Sequence, residues 1–230
     1  MPLYCCADSK APVVISSTVD VRFLVQGQPL DLIAPEALYR ALCRAPRCGD
    51  WFAATDVLAI AAVQVDAAEG RSGAGEGARS LLLRLPAEDL PCVLGLAGGV
   101  LYVDGLEVRF APQALVEAIK PCAVLHSPWV TLATAQNGPD WLGPRRSARG
   151  VGGDTLAGFA AALSDELDAL EVEALVSLEP APAQPPLQER PCCAVTLSGL
   201  SPDDSVHLQE AGLGELRKLG CGIFRPHRQR

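Results

Sequence analysis

The sequence predicts an α+β protein whose two halves each approximate the order strand, helix, strand, strand, helix, strand. Three observations carry that expectation. Val19, Val21, Phe23 and Val25 alternate with Asp20, Arg22 and Leu24, which is the period of a half-buried strand near the N-terminus. Strand-like segments followed by apolar stripes at helical spacing then occur in both halves. Finally, 230 residues at 49% hydrophobic and 20% charged can bury one sizeable core or two small ones, which excludes a disordered chain.

The elements follow in order. After the first strand, Gln26-Gly27-Gln28-Pro29 reads as a turn. Pro35 and Glu36 suit the first turn of a helix, and Leu38, Leu42 and Ala45 give its apolar stripe, ending by Pro46. Val57 to Val65 is β-branched and apolar, and Arg79 to Leu85, Val100 to Val103 and Glu107 to Phe110 read as further strands, the last two joined by an Asp104-Gly105 hairpin turn. Ala67 to Gly77 is a glycine-rich loop.

The second half repeats the order. His126 to Ala133 reads as a strand, and Thr155 to Leu170 as a helix with Leu156, Phe159, Ala160, Leu163 and Leu167 on one face. Ala174 to Leu178 reads as a strand, followed by a proline-rich loop from Pro180 to Pro191. Cys193 to Leu197 is a further strand, Pro202 with Asp203 and Asp204 opens a helix, and Ile223-Phe224 closes as a short strand. Two tandem ferredoxin-like (RRM-like) βαββαβ domains, at 12–118 and 119–230, are therefore expected. This fold hosts many functions and settles none by itself.

Composition narrows the classes. No apolar run approaches a bilayer span and the N-terminus lacks a signal pattern, so a cytoplasmic location with no membrane partner is expected. Nine cysteines without a paired CxxC framework read as reduced, mostly buried thiols, with no metal site and no cofactor expected. A formal charge of -8 argues against indiscriminate nucleic-acid binding. The distribution is uneven, however: residues 165–179 carry six acids and no base, whereas residues 217–230 carry five Lys or Arg and no acid. One basic face on an acidic body fits that asymmetry, and so does a solvated basic tail.

The most informative segment is Val195-Thr196-Leu197-Ser198-Gly199-Leu200-Ser201, with the following run from Ser205 to Phe224 that contains Gly212, Gly214, Arg217, Lys218, Gly220 and Gly222. Glycines at positive φ let backbone approach a ligand, so successive amides can form an anion-binding concavity to which Arg217 and Lys218 add charge. The same letters also suit a plain turn between a helix and a terminal strand.

The segment resembles the C-terminal signature of the CRISPR repeat-processing endoribonucleases of the repeat-associated mysterious protein superfamily, and in particular the maturation proteins of type I-MYXAN and type IV systems. Val19 to Gly27 with Ala37 to Cys43 is similar to that family's opening strand and first helix, and Gly98 to Gly105, Val130 to Leu132 and the helix from Gly153 fall in the expected order. The resemblance covers most of the chain, but only the C-terminal signature is specific.

The resemblance implies an enzyme that binds a repeat stem-loop in precursor CRISPR RNA and cuts it without metal. In that reaction the ribose 2′-OH attacks its own phosphate, and the product is retained. Other CRISPR effector subunits are admitted as partners. Such chemistry needs a base, an acid and positive charge on the phosphorane. Many relatives use a histidine, placed after the first helix in an Ile-His-Pro-like strand. Here the corresponding stretch is Ile60-Ala61-Ala62-Val63, which puts an alanine at 61.

Three readings of Ala61 stay open: chemistry by arginines and tyrosines, a subunit that binds CRISPR RNA without cutting, or a deliberately inactivated variant. An unperturbed arginine is a poor proton carrier, so its expected role is to stabilise the phosphorane. The catalytic candidates are Arg22, Tyr39 and Arg40. The RNA-binding candidates are Arg44 and Arg47, set with Arg40 at helical spacing; Arg145, Arg146 and Arg149 in a loop near Trp129 and Trp141; Gly212, Gly214, Arg217, Lys218, Gly220 and Gly222; and Arg225. His126, His207 and His227 read as structural or surface residues. A reading from another class is an acidic ferredoxin-like module that binds a small molecule or forms a dimer.

Overall fold

A computed structural model of the chain describes residues 16–27, 33–56, 58–64, 79–132, 153–181 and 192–227. The glycine-rich loop at 67–77, the arginine loop at 141–150 with Arg145, Arg146, Arg149 and Trp141, and most of the proline-rich loop at 180–191 lie outside the described residues.

The first sheet comprises β1 (Thr18–Gly27), β2 (Ala59–Gln64), β3 (Arg79–Pro86), β4 (Val100–Val103) and β5 (Leu106–Ala118), in the order β2-β3-β1-β5-β4. Between β1 and β2 lie α1 (Pro35–Leu42) and the short α2 (Gly49–Ala54). Pro35 opens α1 with Glu36 in its first turn, where the amide end of the helix favours a carboxylate. Its buried Ala37, Leu38, Ala41 and Leu42, joined by Phe52 of α2, pack on Val21, Phe23, Leu81 and Leu83 of the sheet. Another short helix, α3 (Leu90–Val93), stands between two single 3-10 turns after β3.

Sequence reasoning missed α2 and α3 because each is shorter than the periodic window that reveals a helix. The hairpin turn was legible. Asp104 and Gly105 both take positive φ, 46° and 84°, as a two-residue turn between right-twisted strands requires. β5, expected to stop at Phe110, runs on to Ala118 because it pairs first with β4 and then along β1 from Val19 to Gly27. That long pairing is set by β1, and no alternation in Pro112 to Ala118 announces it.

The second sheet holds β6 (Val124–Val130), β7 (Leu175–Pro180), β8 (Cys193–Ser198) and β9 (Arg225–Pro226), in the order β7-β8-β6-β9. β6 and β7 both run antiparallel to β8 between them, so they are parallel to each other, and the crossover is made by α4 (Gly153–Ala169). After β8 comes α5 (Pro202–Ala211). Ser201 caps it by accepting the Asp204 amide at 3.1 Å, and Gly212 at φ 68° ends it.

Two expectations are corrected here. Phe159, Leu163 and Leu167 are buried, but Leu156 and Ala160 are exposed; the stripe is completed instead by Ala162 and Leu170, which pack against the same core. The closing strand is Arg225–Pro226, whereas Ile223 and Phe224 are buried, Phe224 as part of the second core.

Candidate nucleic-acid interface

The C-terminal segment, from α5 to the approach of β9, lies against the face of the first sheet turned away from its helices. β3 carries the run Leu81-Leu82-Leu83-Arg84-Leu85, all buried, as in a strand covered on both faces. Arg84, 1% exposed, is the largest fully buried side chain among the described residues. Its Nε and Nη2 donate to Asp20 Oδ1 and Oδ2 at 2.7 and 2.9 Å, and its Nη1 donates to the carbonyls of Gln209 and Phe224 at 2.9 and 2.8 Å. A guanidinium can lie so deep because four of its donors are matched in fork geometry. Its carbonyl partners come from the end of α5 and the approach to β9, so this one residue ties the C-terminal segment to the first sheet.

The glycine-rich segment folds back on the protein. Gly212, Gly214, Gly220 and Gly222 have φ of 68°, 74°, 92° and 67°. A Cβ on Gly214 would overlap the Thr131 carbonyl oxygen and one on Gly222 the Leu213 carbonyl oxygen, so glycine is needed here for close backbone approach. The amides of Gly212, Leu213, Glu215, Leu219, Gly220, Cys221 and Gly222 donate to backbone carbonyls, and that of Gly214 donates to the Glu166 carboxylate on α4. The expected concavity of free amides is corrected accordingly. The Gly222 and Glu215 amides zip the loop onto Trp129 and Thr131 at the end of β6, the Gly214 amide ties it to α4, and the other amides close turns within the segment.

The zipped loop presents the 3-10 turn Arg217–Leu219 beside β2 and α1. Lys218 Nζ lies 5.6 Å from the centre of the Tyr39 ring and 3.4 Å from Asp56 Oδ1. The Tyr39 hydroxyl donates to the Phe52 carbonyl at 3.1 Å. Burial raises the Tyr39 pKa, and Cys43 adds to that, while the Lys218 charge opposes it. Tyr39 therefore holds its proton at neutral pH. Ala61, half-buried on β2 opposite Leu82, belongs to the strand that runs beside this turn.

Arg217 points the other way. Its Nη2 donates to the Glu210 carbonyl at 2.8 Å, and its Nε is buried with no hydrogen-bond partner. Desolvation, with the Arg84 charge adding to it, pulls its pKa down to about 10.

The remaining candidates are dispersed. Arg22, with 11% of its side chain exposed, pairs with Glu117 at 3.7 Å. Arg40, Arg44 and Arg47 are all exposed. α1 ends at Leu42, so Arg44 and Arg47 lie beyond the helix, and the expected shared helix face with Arg40 is corrected. Arg225 on β9 stands opposite His126 on β6. Of the predicted set, the structure thus brings Tyr39 and Lys218 together. Sequence reasoning missed Arg84 with Asp20, and Glu166. A lone arginine inside a leucine run was the available signal for Arg84, because a charge there must be paired.

The split βαβ arrangement of two antiparallel sheets defines a tandem ferredoxin-like protein. Residues 19–229 match the family model described as Cas6 Crispr, and the chain belongs to the Cas6 family. It is 27% identical over 209 residues to the CRISPR-associated endonuclease Cas6 of Myxococcus xanthus (strain DK1622), covering 90% of this chain and 81% of that protein. Among solved structures, a CRISPR associated protein Cas6 superposes with a TM-score of 0.53 at 15% identity, over 92% of this chain and 100% of the other. CRISPR endoribonuclease Cse3 bound to 19 nt RNA gives 0.45 at 16% identity, over 91% and 98%.

Proposed function

We propose that this chain is a CRISPR RNA maturation endoribonuclease that binds a repeat stem-loop, cuts it without metal by attack of the ribose 2′-OH, and retains the product. The observation that carries the reading is the meeting of Tyr39 and Lys218 at the junction of the two halves, in a member of the Cas6 family. Lys218 supplies positive charge for a phosphorane dianion. Tyr39, protonated at neutral pH, supplies a donor for the leaving 5′-oxygen when its hydroxyl turns from the Phe52 carbonyl to the bound RNA. The exposed Arg40, Arg44 and Arg47, close in sequence to Tyr39, offer phosphate contacts, and Arg217 adds its charge behind the loop.

The relatives' own descriptions support the substrate class: one is an endonuclease, and Cse3 was solved with RNA. The domain limits 12–118 and 119–230 belong to the same proposal. Ala61 favours a second reading, a subunit that binds without cutting, since alanine can move no proton.

Incubating the protein with a labelled cognate repeat in EDTA distinguishes the readings. One cut with a 2′,3′-cyclic phosphate end supports cleavage. Tight binding with no product supports the second reading, and no binding at low salt rejects both.

A further inference from the structure

The face of the second sheet turned away from its core carries a polar row across all four strands. In register, Ser177 of β7 lies beside Thr196 of β8, Thr196 beside His126 of β6, and His126 beside Arg225 of β9. The core-facing neighbours of this row, Leu125, Val195 and Leu197, are fully buried, so the pleat turns the row outward. His126 Nδ1 sits 3.0 Å from Thr196 Oγ1, which fixes the ring, and the exposed His227 ring lies 5.2 Å away, tilted at 48°. On the same face Leu175 is 74% exposed.

Two imidazoles, an apolar side chain, hydroxyls and a guanidinium on an open antiparallel sheet make a platform of π-faces with hydrogen-bonding edges and positive charge. Unpaired bases stack on such platforms, and a duplex, whose bases are already stacked, does not. Glu179 is the one acid of β7 that shares this face, whereas the chain as a whole carries -8. On the four strands Glu179 and Arg225 offset each other, so this row lacks the net negative charge of the chain. None of its residues belongs to the elements that carry Tyr39, Ala61 and Lys218.

We propose that this row is a second RNA subsite, which takes unpaired nucleotides flanking the repeat stem, with His126 and His227 stacking on a base and Arg225 beside the phosphate. The proposal rests on the reading of the chain as an RNA binder and adds a single-stranded element to it.

The test compares binding of two RNAs, the cognate repeat with its single-stranded flanks and the trimmed stem-loop alone. The proteins are the wild type, the exposed-site variant His227→Ala and the double variant H126A/H227A. The double variant should bind the flanked RNA about tenfold or more weakly, in line with the loss of one stacked base, while its affinity for the trimmed stem-loop stays within about twofold. His227→Ala should show part of that selective loss. Equal affinity of all three proteins for the flanked RNA, or an equal loss for both RNAs, overturns this subsite and leaves stem-loop binding by the wild type intact. Failure of the wild type to bind either RNA overturns the broader reading as well.

Discussion

Arg84 grips both carboxylate oxygens of Asp20 while its remaining terminal nitrogen holds the carbonyls of Gln209 and Phe224. The strength of that junction sets the position of everything carried by the C-terminal segment, Lys218 included. Replacing Arg84 by Met leaves a carboxylate and two carbonyls without their donors. The expected loss is about 3–5 kcal/mol in urea unfolding, and Asp20→Asn should lose less because an amide still accepts from the guanidinium. A loss under about 1 kcal/mol for Arg84→Met would contradict the assignment.

The loop glycines separate by what surrounds them. Gly214→Ala combines a positive φ with overlap on Thr131, so it should cost roughly 2–4 kcal/mol and weaken the loop's contact with β6. Gly105→Ala, also at positive φ but in open space, should cost only about 1–2 kcal/mol. Thermal unfolding of the two variants side by side checks the ranking.

Glu166 gives a pH dependence with a definite sign. Burial raises its pKa above 4.5, Glu215 adds to the rise, and the Gly214 amide opposes it. The folded protein then holds the proton more tightly than the unfolded chain, so stability falls as pH rises through that window, and the penalty is complete above the folded pKa. Glu166→Gln keeps an acceptor for Gly214 without the charge. Its Tm relative to wild type should climb as pH is raised from below 4.5 toward neutral; a flat difference would count against the buried carboxylate.

Ala61 lies on the strand beside the Lys218 turn, so a histidine there should supply the missing proton carrier. General acid–base assistance is worth about 10²–10⁴-fold, and even imperfect placement in Ala61→His should raise single-turnover cleavage roughly tenfold with little change in binding. An unchanged rate would place position 61 away from the scissile phosphate.

What the sequence made legible follows from range. The alternation of Val19 to Val25, the helix start at Pro202 with Asp203 and Asp204, and the Asp104-Gly105 turn are local signals, and each appeared where expected. The run of β5 along β1, the hold of buried Arg84 on Gln209 and Phe224 and the meeting of Tyr39 with Lys218 depend on how distant segments pack, which no window of residues records. The glycine loop was legible as a set of special backbone positions. The docking of its Gly214, Glu215 and Gly222 amides was not, because the acceptors on Glu166, Thr131 and Trp129 lie far away in the chain.

The most direct measurement is single-turnover cleavage of the cognate repeat, at saturating protein, by Lys218→Ala and Tyr39→Phe beside wild type. Loss of a charge that stabilises the phosphorane, or of the donor to the leaving oxygen, should slow each variant about 100-fold or more while both still bind the repeat and unfold near the wild-type temperature. Wild-type rates in both variants would contradict the assignment of chemistry to the Tyr39–Lys218 pair.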